Sequence, residues 1–308
     1  MSLETYAYGD HDLQTVTVAR PYPAPILDST NTEPQADEGY WVILIHGGAW
    51  RDPTQTATTY ITPALSILIS PSTKTSASPA NPKPITGLAS ISYRLSPHPS
   101  HPQSSNDTET PPVALRDAKH PDHFDDVQTA LRFLQERFGF GGRYVLVGHS
   151  CGATLAFQSV IPALVAQGGK DQGYATPIAV LGMAGIYNLR LLRDKHKSVS
   201  AYQEFIEGAF GGDEKVWNSV SPGVVGVDGW ESGRVVVLAQ SKGDTLIDGA
   251  QSEGMKKALE SWENYGSKGE RKVHALEIEG EHDEAWEKGS ELARAILFTI
   301  EKVQEMGL

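Results

Sequence analysis

An α/β fold on a mostly parallel sheet, with helices on both faces, follows from three features of the chain. Short apolar runs of strand length alternate with segments of helical period. Several runs are apolar at every position, as strands buried on both faces are. Glycine-rich turns directly follow two of them. The 308 residues, 39% of them hydrophobic, suffice for a large core and are read as one domain over 1–308.

Taken in order, segment 40–45 (YWVILI) is apolar and β-branched and ends at His46-Gly47-Gly48, a strand entering a glycine turn. Residues 57–69 carry apolar positions at helical spacing. The stretch 71–84, PSTKTSASPANPKP, is Ser/Pro/Thr-rich and predicts a surface insertion. ITGLASISY, 85–93, predicts a further strand. Residues 95–112 are again rich in Pro, Ser and His, and 97–112 is expected as a second, exposed or lid-forming insertion.

The clearest amphipathic helix spans 123–138. Val127, Leu131 and Leu134 recur at i, i+4 and i+7, and Ala130, Phe133 and Phe138 widen the face. Gly139, Gly141 and Gly142 end it. A strand at 143–147, a helix from about 151 to 166, buried strands at 177–185 and 234–240, and a last helix at roughly 284–304 complete the alternation. Between those last two strands, 186–232 is rich in Tyr, Trp and Gly with weak periodicity, which predicts an inserted cap.

The formal net charge of −12 argues against a partner held through phosphates, and equally against an anionic membrane surface. A single cysteine excludes an intramolecular disulfide. The opening stretch MSLETYAYGDHDLQ has neither a basic nor an apolar signal region, and no apolar run approaches the ~20 residues of a membrane span. The expectation is a soluble cytoplasmic protein that acts on a small molecule.

Chemistry gathers where strands of a parallel sheet end. Gly148-His149-Ser150-Cys151-Gly152 fits G-x-S-x-G between an apolar strand and a helix. Small flanking residues there permit the strained turn that exposes a serine hydroxyl. The plainer reading is a glycine-bounded loop whose serine caps the next helix. His46-Gly47-Gly48-Ala49-Trp50 places two glycines after a strand, where backbone N–H groups can turn toward a developing oxyanion. Asp244 follows the strand at 234–240, and His282 follows the next apolar run. The order Ser, Asp, His suits a histidine that takes the serine proton while the acid holds its tautomer. Asp248 and Asp283 compete for the acid role: Asp283 adjoins the histidine in sequence, and Asp248 lies one turn further on.

The motifs HGGAW, SYRLSPHP, DDVQTALRF and GHSCGA, the acid in SKGDTLID and the histidine in GEHDEAW together resemble the α/β-hydrolase fold. More narrowly they resemble kynurenine formamidases of the HGGxW type, especially the fungal enzymes, from about residue 40 to 286. The resemblance implies Ser150, Asp244 and His282 as a triad, and the N–H groups of Gly48, Ala49 and Cys151 as oxyanion donors. It implies hydrolysis of N-formyl-L-kynurenine to L-kynurenine and formate, in a tryptophan degradation that can feed NAD synthesis. No cofactor or metal is implied, and a homodimer is admitted as an assembly. YRLSPHP is also similar to a segment of hormone-sensitive-lipase-like esterases, so a carboxylesterase of small acyl esters is the rival enzyme. A hydrolase-fold binding protein is the non-enzymatic rival.

Four other features have plainer readings. Cys151 is expected as a small buried filler rather than a second nucleophile. The pairs His98/His101 and His120/His123 sit on or beside Pro-rich loops without a zinc-like ligand set. His149 is expected to be structural. Trp50 is carried as a substrate-binding residue, with packing beneath the oxyanion loop as the alternative.

Overall fold

The computed structural model describes residues 3–20, 39–68, 85–103, 110–167, 173–266 and 269–308. The insertion predicted at 71–84 lies outside the described residues, as does 104–109 within the one predicted at 97–112.

The chain opens with strands β1 (Leu3–Ala7) and β2 (Thr15–Ala19), then β3 (Tyr40–Ile45), helix α1 (Ala57–Leu68) and β4 (Ile85–Ile91). Next come α2 (Asp122–Phe138), β5 (Tyr144–His149), α3 (Cys151–Gln158), α4 (Pro162–Gln167) and β6 (Ala179–Met183). Four helices follow: α5 (Leu189–Lys195), α6 (Ser200–Phe210), α7 (Glu214–Val220) and α8 (Pro222–Val225). The chain closes with β7 (Val235–Ser241), α9 (Gly249–Ala258), α10 (Glu260–Asn264), β8 (Lys272–Ile278), α11 (Glu284–Glu287) and α12 (Ser290–Glu305).

The strands form one sheet in the order β1-β2-β4-β3-β5-β6-β7-β8. It is parallel from β4 through β8, while β2 joins β1 and β4 antiparallel. Strands buried on both faces explain the unbroken apolar runs. Along β3, Ile43 and Ile45 enter one core and Val42 and Leu44 the opposite one; β5 divides Leu146 from Val145 and Val147 in the same way. Each such side chain, fully buried, contributes about 1.5–3 kcal/mol through removal from water.

Two helices are broken where the sequence suggests continuity. The segment expected as one helix at 151–166 divides before Pro162, which lacks an N–H and starts α4 instead. The segment expected at 284–304 divides at Gly289, whose φ of 75° is left-handed. A Cβ there would come within 2.2 Å of the Pro63 carbonyl oxygen, so this glycine also lets α12 close against α1. The segment 186–232 is mostly helical, as α5–α8. Among the described residues, no helix is long and apolar enough to cross a membrane.

The topology positions the site. β3 has β4 on one side and β5 on the other, so the chain reverses direction across the sheet at this point. A crevice opens at the carboxyl ends of strands at such a switch. The loops after β3 and β5, His46–Trp50 and Ser150 onward, are thereby neighbours.

Candidate active site

Ser150 links β5 to α3 with φ 54° and ψ −122°, a left-handed conformation that costs a non-glycine residue about 1–3 kcal/mol. The surroundings hold it there. Its N–H donates to the Met183 carbonyl at 3.0 Å, and its carbonyl accepts from Ile186 and Ala153 N–H, each at 3.1 Å. The flanking glycines answer a steric demand. A Cβ on Gly148 would lie 2.3 Å from the Gly152 carbonyl oxygen, and one on Gly152 would lie 2.3 Å from that of Ile45.

His282 sits on the turn between β8 and α11. Its Nδ1 lies 2.8 Å from Asp244 Oδ2, and the Asp244 side chain is fully buried. The other carboxylate oxygen, Oδ1, accepts from the N–H groups of Leu246 (2.9 Å) and Ile247 (2.8 Å), which fixes the acid's orientation. With Nδ1–H donating to Asp244, the Nε2 lone pair of His282 is left for a proton. His149 steadies the same residue: its Nε2–H donates to the His282 carbonyl at 3.1 Å, and burial holds the His149 ring neutral, far below the usual histidine pKa.

The rival acids are committed elsewhere. Asp248 caps α9 by accepting from Ala250 N–H at 2.8 Å, and Asp283 accepts from Trp286 Nε1 at 2.9 Å. His149, His282 and Asp283 do place donor atoms within 4.8 Å of one another, the metal-like grouping found among the described residues. The bonds from His149 to the His282 carbonyl and from Trp286 to Asp283 account for two of these groups without an ion.

The loop after β3 turns through three left-handed residues, Gly48 (φ 92°), Ala49 (φ 49°) and Trp50 (φ 59°). Gly47 lies so close to the elbow that a Cβ would fall 2.8 Å from His149 Nδ1. Tyr93 braces this loop from below. Its hydroxyl lies 3.1 Å from the His46 carbonyl and 3.2 Å from that of Gly47, and its ring stacks on His46 at 4.5 Å. The Gly48 N–H has no acceptor among the described residues, and the Cys151 N–H opens the first turn of α3, where N–H groups lack an intrahelical partner. The Ala49 and Cys151 N–H groups both lie near the Cys151 sulfur and lower its pKa against the larger effect of burial.

Two expectations change here. Cys151 is more than a filler: its sulfur accepts from Trp50 N–H at 3.3 Å and lies 3.5 Å from the Tyr93 hydroxyl. Burial pushes the thiol up to about 11, so it stays protonated and is a poor nucleophile. Trp50 is not a cavity wall. It is 0% exposed beneath the loop, packed edge-on to Phe210 at 4.9 Å and tilted against Phe205 at 6.1 Å.

A cavity of about 330 Å³ opens over these groups. Ser150, His282 and Gly48 line it together with Tyr202, Phe205 and Ile247, an aromatic and aliphatic set. Tyr202 and Phe205 come from α6, in the aromatic-rich segment the sequence marks only as an insertion. Their composition was the signal, but weak periodicity hid which faces pointed inward. His98, Arg51 and Asp52 also line the cavity. His123 is buried beside Ser96, with its pKa lowered by burial to about 3.

This geometry provides a serine on a strained strand-to-helix turn, a histidine held by a buried acid, and free N–H groups across the crevice. Structural comparison gives the same fold. The structure aligns with esterase B of Lactobacillus rhamnosis at a TM-score of 0.66 and 17% identity, over 99% of this chain and 88% of that one. It aligns with a Lactobacillus plantarum carboxylesterase at 0.62 and 13%, over 100% and 98%. The fold is therefore that of the α/β-hydrolases. No family model matches the sequence. Curated relatives do: a kynurenine formamidase-like hydrolase of Fusarium equiseti is 40% identical over 88% of this chain and 86% of its own. A kynurenine formamidase of Aspergillus versicolor is 34% identical over 81% and 84%. The chain belongs to the kynurenine formamidase family of α/β-hydrolases.

Proposed function

We propose that the protein hydrolyses N-formyl-L-kynurenine to L-kynurenine and formate, a step of tryptophan degradation. The observation that carries the mechanism is Ser150 facing one cavity with His282, whose Nδ1 is bonded to the buried Asp244. In this reading His282 Nε2 takes the Ser150 proton as Oγ attacks the formyl carbon, and Asp244 stabilises the imidazolium. The oxyanion is met by the Gly48, Ala49 and Cys151 N–H groups. His282 then protonates the departing aniline nitrogen. Water, deprotonated by the same ring, releases formate from Ser150. Tyr202 and Phe205 give the aryl leaving group an apolar wall.

The proposal treats the chain as one domain, with 186–232 as a small cap, working in the cytoplasm without a cofactor; a homodimer is compatible with it. The test sets kcat/KM for N-formyl-L-kynurenine beside that for p-nitrophenyl butyrate. The formamide is expected to lead by at least ~10²-fold, because a site built for the substrate's polar groups leaves them unpaired with the ester. Comparable rates, or a preference for butyrate over acetate esters, transfer the assignment to a carboxylesterase.

A further inference from the structure

Beside the cavity over Ser150 lies a second pocket of about 350 Å³, lined by prolines and by charged side chains. Arg51 and His98 line both, and Glu204 and Arg116 line the second. Three observations make this annex more than a surface hollow.

First, the Arg51 guanidinium has no hydrogen bond or ion pair among the described residues, although it is half-buried and lies over the Phe205 ring at 5.7 Å. Burial lowers its pKa and Glu204 raises it, so the acid is close enough to be felt. A half-buried guanidinium whose planar fork of donors is unengaged among the described residues is matched in shape to a carboxylate. Second, Arg116 stands behind it. Its Nη2 donates to the His101 carbonyl at 2.7 Å, while its Nε is buried without a partner. Burial and Arg51 lower the pKa of His98, so the positive charge here belongs to the arginines. Third, the opposite charge is also present. Glu204 is exposed on α6, one residue from the Phe205 ring that walls the catalytic cavity. Asp52, the other nearby acid, already accepts from the Thr54 N–H and hydroxyl through Oδ1.

A cation and an acid in one pocket, beside an aromatic-walled cavity, complement a zwitterion attached to an aryl group. We propose that this annex is the subsite for the α-amino-acid end of the substrate, with Arg51 taking its carboxylate and Glu204 its ammonium. The inference rests on the proposed function and names the residues that separate this enzyme from a plain esterase. Arg51 is the deciding residue because it alone among the charged arginines and acids of the annex also lines the cavity over Ser150.

The test is Arg51→Gln, Arg51→Lys and Glu204→Gln in the full chain, with kcat and KM measured on N-formyl-L-kynurenine and on p-nitrophenyl acetate. The readout is the ratio of the two kcat/KM values on one sample, which cancels any change in the folded fraction. A charge-assisted hydrogen bond lost from the carboxylate should lower that ratio about 10–10²-fold in Arg51→Gln. Arg51→Lys should recover part of it, and Glu204→Gln should lower it less. An unchanged ratio in Arg51→Gln overturns the subsite while leaving the deformylase reading intact. A wild-type enzyme that turns over the ester but not N-formyl-L-kynurenine overturns both.

Discussion

Replacing Cys151 isolates a role that only the structure reveals. In Cys151→Ala the Trp50 N–H loses its acceptor at a position with no solvent access. An unsatisfied buried N–H costs about 1–3 kcal/mol. The lost burial of the sulfur adds about 1 kcal/mol. The sum of about 2–4 kcal/mol corresponds to a fall in Tm of roughly 3–6 °C for a chain of 308 residues. Cys151→Ser keeps an acceptor beneath the loop and places a hydroxyl near Tyr93, so it should lose less. The Cys151 backbone N–H survives in both variants, and the catalytic loss comes only through a loosened Gly48–Trp50 loop. That loss should be about tenfold in kcat for Ala and smaller for Ser, because small misplacements of catalytic groups are costly. Calorimetric Tm and kcat on N-formyl-L-kynurenine should therefore rank wild type above Ser above Ala. An alanine variant as stable as wild type, or a serine variant below it, refutes the hydrogen-bonding role. An inactive but folded Cys151→Ala beside an active Ser150→Ala moves the nucleophile to sulfur.

Asp244→Asn should lower kcat by about 10³–10⁴-fold through loss of the tautomer-fixing carboxylate. Asp248→Asn should leave kcat within a few-fold, since Asp248 caps α9; the reverse ranking by steady-state kinetics moves the acid to Asp248. Gly152→Ala drives a methyl group against the carbonyls of Ile45 and His46 and should cost about 3 kcal/mol in chemical denaturation. Gly249→Ala, with nothing within 4 Å of the added carbon, should be near neutral; equal losses in the two contradict the elbow geometry. The histidines His46 and His123 are held neutral by burial, with pKa values of about 4 and about 3. The unfolded chain protonates them first, so the stability they contribute is complete above about pH 6.5 and lost as pH falls toward 4, about 2 kcal/mol each by pH 5. A Tm at pH 5 equal to that at pH 7.5 contradicts this.

Legibility in the sequence followed physical locality. The elbow could be read because its glycines, serine and flanking apolar strand are contiguous, and the packing of Gly148 and Gly152 shows why no larger residue fits. Asp244 and His282 were legible as residues after strands, a rule of topology rather than of contact. β1 was hidden because it is a five-residue edge strand with exposed positions and no clean alternation. The breaks at Pro162 and Gly289 needed local backbone rules to outweigh a continuing apolar pattern. The burial of Trp50, the hydrogen bonds of Cys151 and the place of the Arg51 guanidinium over Phe205 were not legible. Each depends on which way a side chain turns once distant segments have met.

The most direct test of the central claim is the release of L-kynurenine and formate from N-formyl-L-kynurenine by wild type and Ser150→Ala, with Tm measured on both. Wild type should release the two products in equal amounts. Ser150→Ala should melt within a few degrees of it and turn over about 10⁴-fold more slowly or worse. No product from wild type, or undiminished product from Ser150→Ala, would contradict the account.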